Sequence, residues 1–403
     1  MASQINLFDG SEPLRINKPI RLIELFAGYG SQALALKYLG IPFEHWGICE
    51  IDKFAVQAYN ALHDTDYIPS DITKITASDL RIEERDKYEY IMTYSFPCTD
   101  LSLVGKRAGM EEGSGTRSSL LWEVRRLLVE CGENLPQILL MENVPQVIDG
   151  AGNFAKWLAF LYSLGYESRY AIMDAGDYGI PQSRRRCFCL SWLTKNAQFS
   201  FPSPFPLNLR FEDIIEQSAP DDYFFSQKQI DKHLQSVNVV REREREREQP
   251  RRDKKARPFN TVFGGLARTL YTYEARRRRT STLKRVLGLS GVAVEYDGER
   301  IGAGTTNSSQ KSECFSRGRV CGVGGGEMEI RSLTERETFR LMGVRNDDID
   351  KLINAGISSS QLYKLSGNSI VTTCLMAIFG ELTCSNYKAK IKVLQENIKE
   401  DDE

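Results

Sequence analysis

The sequence lacks any apolar run approaching the roughly 20 residues that a bilayer span needs. Its amino-terminal end also lacks the basic start and apolar stretch typical of a secretion signal. Hydrophobic residues make up 41% of the chain and charged residues 27%, as in globular proteins. We therefore expect no membrane association and a location inside the cell, and the length of 403 residues favours two domains over one.

No two cysteines have the CxxC spacing that organises many zinc and redox sites. The nine cysteines are scattered and odd in number, which is typical of reduced thiols. The sequence therefore predicts no metal site. A single cysteine can still act as a nucleophile if suitable groups stand beside it.

The net charge of −1 gives no overall attraction to a polyanion, but the positive charge is concentrated. Residues 241–285 contain 16 Lys and Arg against 6 Asp and Glu, which indicates a partner such as nucleic acid. The alternating run at 241–248 contains its own neutralising acids, so we expect a solvated insertion there. Arg251, Arg252 and residues 276–279 are better candidates for phosphate contact.

Short apolar runs alternate with helical patterns in the first half of the chain, as in a mostly parallel sheet with helices on both faces. The predicted strands are 21–26, 45–49, 90–94, 137–141, 166–173 and 186–190, with a helix at 32–39. This regularity fades after about residue 192. The segment 370–379 is too apolar for a free tail. We therefore predict a first domain at 1–195 plus 361–403, and a smaller, irregular domain at 196–360 with a charged insertion near 241–257.

The first predicted strand ends in Phe26, Ala27, Gly28, Tyr29 and Gly30, followed by a helix. Two glycines allow the chain to turn sharply and a ligand to approach its backbone. Glu50, which is 20 residues after Gly30, ends the next strand, and its carboxylate can accept hydrogen bonds from ribose hydroxyls. Asp71 can accept the adenine amino hydrogen or cap a helix. Either NAD or S-adenosylmethionine fits this pattern, and glycines used for packing alone remain an alternative.

Two more strand ends place reactive groups at the same edge of the sheet. Pro97 and Cys98 follow the strand 90–94, and Glu142 follows the strand 137–141. Burial as a small apolar residue is the commonest fate of a free cysteine. The neighbouring carboxyl group instead favours Cys98 as a nucleophile, and the polar, glycine-containing segment 99–115 is predicted to be a mobile active-site loop.

Arginines follow at the next motif. Gln182, Arg184 and Arg186 alternate, so an extended strand places all three side chains on one face. Surface arginines are usually just solvated, but here a thiol and a carboxyl group are predicted at the same edge. We therefore include Arg184 and Arg186 in the candidate site.

The order and spacing of these motifs resemble those of the DNA cytosine-5 methyltransferase family. The resemblance covers about residues 20–192 and 331–380, but not most of 200–330, where family members read different DNA sequences. It implies an α/β fold: a Rossmann-like S-adenosylmethionine-dependent methyltransferase domain with a second, smaller, irregular target-recognition domain. The matching motifs are Phe26-Ala27-Gly28-Tyr29-Gly30, Glu50, Asp71, Pro97-Cys98, Glu142-Asn143-Val144, Gln182-x-Arg184-x-Arg186, Arg331-Ser332-Leu333-Thr334-x-Arg336-Glu337 and Gly367-Asn368-Ser369.

The resemblance implies methylation of C5 of a cytosine that is flipped out of the duplex. Cys98 would add to C6, and Glu142 would hydrogen-bond N3 and the exocyclic amine. That role requires a carboxylic acid whose pKa lies well above the usual value of about 4.3. Arg186 would hold the base oxygen and orient Glu142, and Arg184 would support the site.

The same resemblance implies a cofactor, partners and a location. S-adenosylmethionine is the implied cofactor, and its binding residues are Phe26, Gly28, Gly30, Glu50, Ile51, Asp71, Pro97, Asn368 and Ser369. Within that set, Glu50 would bind the ribose and Asp71 the adenine, while Asn368 and Ser369 would form the far wall. We expect a monomer that acts on double-stranded DNA in the cytoplasm of a bacterial cell or an infected bacterial host, with a cognate restriction endonuclease as a further potential partner.

One departure and three alternatives follow. Thr99 stands where family members most often have glutamine, which changes how the loop fills the gap left by the flipped base. An RNA cytosine-5 methyltransferase would share the catalytic residues, although the long basic segment favours DNA. A non-catalytic DNA-binding relative would be expected to lack Cys98 or Glu142, and a nicotinamide dehydrogenase would have no use for that pair.

Overall fold

A computed structural model describes most of the first half of the chain and its carboxyl-terminal part. The described residues are 12–97, 120–148, 152–205, 208–216, 219–224, 332–383 and 385–399, with strand residues 267–268, 294–296, 299–300, 320–321 and 327–330. The strands are β1 (Glu12–Pro13), β2 (Ile20–Leu25), β3 (Phe43–Cys49), β4 (Glu89–Tyr94), β5 (Ile138–Asn143), β6 (Glu167–Asp174), β7 (Gln182–Ser183), β8 (Arg185–Trp192), β9 (Ala197–Gln198), β10 (Ala267–Arg268), β11 (Val294–Tyr296), β12 (Glu299–Arg300), β13 (Val320–Cys321) and β14 (Glu327–Ile330). The helices are α1 (Ser31–Leu39), α2 (Lys53–His63), α3 (Ala77–Leu80), α4 (Leu121–Cys131), α5 (Asn153–Ser163), α6 (Glu335–Arg340), α7 (Asn346–Asn354), α8 (Ser359–Asn368), α9 (Thr372–Thr383) and α10 (Tyr387–Asn397).

The six predicted strands form one sheet in the order β3-β2-β4-β5-β8-β6. The first four are parallel, whereas β8 runs antiparallel to both of its neighbours. The carboxyl ends of β2, β3, β4 and β5 therefore meet at one edge of the sheet. The reversed direction of β8 brings its amino-terminal residues, including Arg186, to that same edge.

Both faces of the sheet are covered because its central strands are apolar on both sides. In β5, Ile138 and Leu140 pack in a core with α1 and α9. Leu139 and Met141 alternate with them and pack in a second core with α4 and α5. The structure confirms the predicted α/β sheet with helices on both faces.

The apolar segment near the end of the chain returns to the sheet, as predicted. Helix α9 packs against α1, and its residues from Thr372 to Gly380 are all buried. Residues 333–352 already contribute to the same core, which is earlier in the chain than position 361, where the predicted return begins. No single helix in the described ranges is long and apolar enough to cross a membrane, although α8 and α9, a bent pair, meet the length and composition test together.

The middle of the chain contributes short strands. Four of them form a sheet in the order β12-β11-β14-β13, and β10 pairs in parallel with β7. The charged insertion near 241–257, the arginines 276–279 and Arg331 lie outside the described residues. The division into two domains therefore stays a prediction.

Candidate functional site

A tight turn at residues 26–30 connects β2 to α1. Phe26, Gly28 and Gly30 all have positive φ angles, of 58°, 58° and 82°. A positive φ is rare for a residue with a side chain, so Phe26 holds a strained backbone conformation of the kind often found at ligand sites. Its N–H donates to the carbonyl oxygen of Cys49, which ties the turn to the end of β3.

The two glycines of this turn face different surroundings. A Cβ added at Gly28 would meet no atom within 4 Å, so this residue borders open space. A Cβ added at Gly30 would lie less than 3.0 Å from His63 Nε2 and 2.7 Å from Tyr59 Cε2. Gly30 is therefore required by packing, whereas Gly28 leaves its backbone accessible to a ligand.

Glu50 lies beside this turn, as its position in the sequence predicts. Its Oε2 accepts a 3.0 Å hydrogen bond from Gly28 N, and its Oε1 accepts a 2.8 Å bond from Asp52 N. Burial raises the pKa of Glu50, although these backbone donors oppose the rise. Next to it, Ile51 is 70% exposed.

Asp71 lies in the segment that runs alongside Glu50, since Ser70 N donates to the Glu50 carbonyl oxygen. Asp71 Oδ1 accepts hydrogen bonds from Thr73 N at 3.0 Å and Thr73 Oγ1 at 2.8 Å. These bonds lower the pKa of Asp71. The structure thus gives Asp71 a local capping contact.

The ends of β4 and β5 lie side by side. Tyr94 pairs with Met141, so the residues that follow on each strand leave the sheet together. The Asn143 side-chain amide donates a 3.0 Å hydrogen bond to the carbonyl oxygen of Phe96. This bond fixes the chain immediately before Pro97. Cys98, Thr99 and the predicted loop to residue 115 lie outside the described residues.

Glu142 is buried at this edge, with 8% of its surface exposed. Its Oε1 lies 3.1 Å from Arg186 Nε across the β5–β8 pair. Burial raises the pKa of the Glu142 carboxyl group, and the positive charges of Arg186 and Arg184 oppose part of that rise. Burial therefore favours the protonated form of this carboxyl group more than water does.

Arg184 connects this edge to the carboxyl-terminal helices. Its guanidinium donates to the carbonyl oxygens of Gly367, at 3.0 Å, and Ser369. The hydroxyl of Ser369 is 2.6 Å from that of Ser31, the first residue of α1. The segment containing Asn368 is therefore held against the start of α1, close to the turn at 26–30.

The remaining predicted motifs have structural contacts. Gln182 is fully buried and its side chain donates to the Leu341 carbonyl oxygen. Thr334 and Glu337 form the capping box of α6, and Glu337 also accepts from Glu216 N. These contacts fasten the segments around the site.

Sequence reasoning did not single out Ser31, Tyr59 or His63, which all contact residues 26–30 or the segment after α8. Ser31 had a detectable signal, because it directly follows the glycine turn. Tyr59 and His63 had none, because their contact with the turn depends on where α2 lies in the folded chain.

A family model described as C-5 cytosine-specific DNA methylase matches residues 20–384. The Type II methyltransferase M2.ScrFI of Lactococcus lactis subsp. cremoris is 30% identical over 412 residues, covering 90% of this chain and 99% of that relative. The orphan methyltransferase M.SPBetaI of Bacillus phage SPbeta is 24% identical over 439 residues, covering 90% and 97%. A solved methyltransferase structure from Entamoeba histolytica, EhMeth, has a TM-score of 0.62 at 16% identity, covering 91% of this chain and 98% of that one, which shows a shared fold.

Proposed function

Because the chain belongs to the C-5 cytosine-specific DNA methylase family, we propose that it methylates C5 of a cytosine within a specific DNA sequence. In the proposed mechanism, Cys98 adds covalently to C6 of the base and Glu142 hydrogen-bonds N3. The observation that supports this most strongly is the buried carboxyl group of Glu142. It lies 3.1 Å from Arg186, on the strand next to the one that leads into Pro97 and Cys98.

The described residues fit S-adenosylmethionine, which methyltransferases generally use. Open space borders Gly28, the Glu50 carboxylate stands beside it, and the exposed Ile51 side chain offers an apolar surface. We assign the ribose hydroxyls to Glu50, the adenine to Ile51 and Asp71, and the remaining cofactor contacts to Phe26, Gly28, Gly30, Pro97, Asn368 and Ser369. When bound, the cofactor supplies the methyl group that is transferred to C5.

The protein's own groups act on the flipped base. The Cys98 thiolate adds to C6, which makes C5 nucleophilic so that C5 can accept the methyl group. The C5 proton then passes to water or another base, the C5–C6 double bond re-forms, and the Cys98–C6 bond breaks to release the thiolate. Burial raises the pKa of Glu142, which favours the protonated carboxyl group. In that form Glu142 donates a hydrogen bond to N3 as negative charge builds on the ring. Arg186 holds Glu142 in place, and Arg184 positions the wall that contains Ser369.

We further propose that the protein is a monomer, binds double-stranded DNA through the second domain at 196–360, and acts in the bacterial cytoplasm. The first domain would comprise 1–195 and 361–403. The names of the relatives include both Type II and orphan methyltransferases, so a cognate restriction endonuclease stays one of two alternatives.

The test is transfer of labelled methyl from S-adenosylmethionine to duplex DNA and, separately, to RNA. The native protein is compared with Cys98→Ala and Glu142→Gln, and Cys131→Ala serves as a control because Cys131 ends α4. We expect transfer to DNA by the native and control proteins, none by Cys98→Ala, and a loss on the order of 100-fold or more in kcat for Glu142→Gln. Transfer by Cys98→Ala at the native rate would contradict the mechanism, and transfer to RNA alone would contradict the substrate.

A further inference from the structure

Two side chains of α2 lie directly beneath the turn at residues 26–30. His63 Nε2 is 3.1 Å from the carbonyl oxygen of Tyr29. The rings of Tyr59 and His63 pack against each other with centroids 4.5 Å apart, and both occupy the space where a Cβ at Gly30 would lie. The turn therefore packs against α2 at Gly30, whereas no atom of α2 lies within 4 Å of a Cβ placed at Gly28.

The contact with Tyr29 determines which ring nitrogen of His63 bears a hydrogen. A carbonyl oxygen can only accept, so Nε2 must bear the hydrogen. Burial lowers the pKa of His63 to about 3, with His45 and Lys37 adding to the effect and the hydrogen bond to Tyr29 and the charge of Asp348 opposing it. His63 is therefore a neutral donor at neutral pH, and its bond to the turn does not depend on gaining a proton.

Tyr59 also links α2 to β2 and α1, the strand before the turn and the helix after it. Its hydroxyl donates a 2.6 Å hydrogen bond to Glu24 Oε2 and lies 2.8 Å from His45 Nδ1. Glu24 belongs to β2, is 1% exposed, and accepts from Ala33 N in the first turn of α1 through its other oxygen. The strand before the turn and the helix after it are thus tied to one side chain of α2.

We propose that His63 and Tyr59 are positioning residues for S-adenosylmethionine, which hold the backbone of residues 26–30 in the shape that binds the cofactor. This inference rests on the proposed function, since it assigns the turn to that ligand. Neither side chain reaches the open side of the turn at Gly28, so neither needs to touch the cofactor. Their loss should weaken cofactor binding while leaving the chemical step intact.

The competing explanation is that His63 only fills space beneath the turn. Variants whose side chains differ in length distinguish this from a role for the hydrogen bond to Tyr29. In His63→Gln, the amide nitrogen can replace Nε2 and donate to the Tyr29 carbonyl. In His63→Asn, the same amide is one methylene shorter and cannot reach it. Gln57→Ala is the matched control, because Gln57 lies on the same helix and also donates to a backbone carbonyl, that of Ala355 at 2.7 Å, away from the turn.

The experiment measures the Kd of each full-length variant for S-adenosylmethionine by calorimetry, kcat and KM for methyl transfer to DNA, and the thermal unfolding midpoint. We expect His63→Asn to raise Kd and the cofactor KM by about five- to tenfold, the effect of one lost hydrogen bond, with kcat at saturating cofactor and the KM for DNA unchanged. His63→Gln should restore Kd to within about twofold of the native value. Gln57→Ala should bind like the native protein.

Several results would overturn the inference. These are a native Kd for His63→Asn, equal weakening in His63→Asn and Gln57→Ala, or a fall in kcat with an unchanged cofactor KM. Tyr59→Phe gives a second measurement, since it keeps the ring under Gly30 but loses the bond to Glu24, and it should raise Kd at least threefold, on the order expected for one hydrogen bond. A native protein that binds no S-adenosylmethionine would overturn the proposed function as well, whereas native binding with unaffected variants would overturn only this inference.

Discussion

The side-chain amide of Asn143 donates a 3.0 Å hydrogen bond to the carbonyl oxygen of Phe96, joining the ends of two neighbouring strands. Asn143 directly follows Glu142, and Phe96 lies two residues before Cys98. The bond therefore fixes the distance between the candidate acid and the chain that leads to the candidate nucleophile. The Oδ1 atom of Asn143 also accepts a hydrogen bond from Val144 N, which orients the side-chain amide.

We predict that Asn143→Ala lowers kcat by about 10- to 100-fold, because small displacements of reacting groups have large effects on rate. The KM for S-adenosylmethionine should change less than kcat, because the bond positions both reacting groups but, of the residues assigned to the cofactor, bears on Pro97. Steady-state methylation of duplex DNA with both substrates varied tests this split.

Gln137 provides the matched control for this variant. Its side chain accepts from Tyr90 N at 3.0 Å and donates to the Tyr88 carbonyl oxygen at 2.7 Å, so it joins the same two strands at their opposite ends. Gln137→Ala should lower the melting temperature but keep kcat within about twofold. Equal losses of kcat in the two variants would mean that Asn143 acts only through stability.

The pKa of Glu142 offers a second prediction. Burial raises it, and Arg186 is the largest of the influences that lower it again. Arg186→Met removes a positive charge that favours the carboxylate, so the pKa of Glu142 should rise further. Titration followed by infrared absorption of the protonated carboxyl group, with Glu142→Gln subtracted, measures this directly.

Arg185→Met is the control, because Arg185 is adjacent in sequence but exposed. It should leave the titration of Glu142 unchanged. A fall in the pKa of Glu142 in Arg186→Met would show that the ion pair does not have the assigned effect.

Much of the fold could be predicted from local patterns, because alternation and turn residues determine which faces of a strand are buried. The six strands, the turn before α1 and the return of α9 all follow from such patterns. The direction of β8 was not predicted, although it is what brings Arg186 to Glu142. That direction depends on long-range pairing with β5 and β6.

The supporting contacts of the candidate site could not be predicted for the same reason. Arg184 donates to the Ser369 carbonyl oxygen across 185 positions of sequence, and His63 reaches Tyr29 across 34. Neither contact has a periodic signature. The roles of Cys98 and of the cofactor-binding residues stay predictions that the experiments above test.

The glycines of the turn give a third prediction. Gly28→Ala, Gly30→Ala and Gly40→Ala all place a side chain at positive φ, with a shared strain of about 1–2 kcal/mol. Gly30→Ala adds a clash with His63 and Tyr59, so its free energy of unfolding should fall by about 1–3 kcal/mol more. Gly28→Ala should match Gly40→Ala in stability but raise the Kd for S-adenosylmethionine by about tenfold or more, because its methyl group enters the open space.

Denaturant unfolding and calorimetric binding measure the two effects separately. Gly40 directly follows α1 and has a φ of 71°, and within 4 Å an added Cβ there would meet only Lys390 Nζ, at 3.8 Å. Gly40→Ala therefore isolates the backbone strain. Native cofactor affinity in Gly28→Ala would argue against a ligand at this face of the turn.

Glu24 gives a fourth prediction, concerning pH. Burial raises the pKa of Glu24 from 4.5 to about 7. In the unfolded chain the group ionises at the lower value, so the folded state binds the proton more tightly between these two pH values. The stability contributed by Glu24 is complete below about pH 4.5 and is lost as the pH rises towards 7.

Glu24→Gln removes this dependence because an amide does not titrate. Between pH 5 and pH 8, the free energy of unfolding of the variant should therefore improve relative to that of the native protein by about 2 kcal/mol. Tyr59→Phe should act in the opposite direction, since the Tyr59 hydrogen bond lowers the pKa of Glu24, and its loss should steepen the fall in stability with pH. Urea denaturation measures the free energy of unfolding of the native protein and the two variants at pH 5 and pH 8. An equal change between the two pH values in all three proteins would contradict the prediction, because it would mean that Glu24 is already ionised in the folded protein at pH 5.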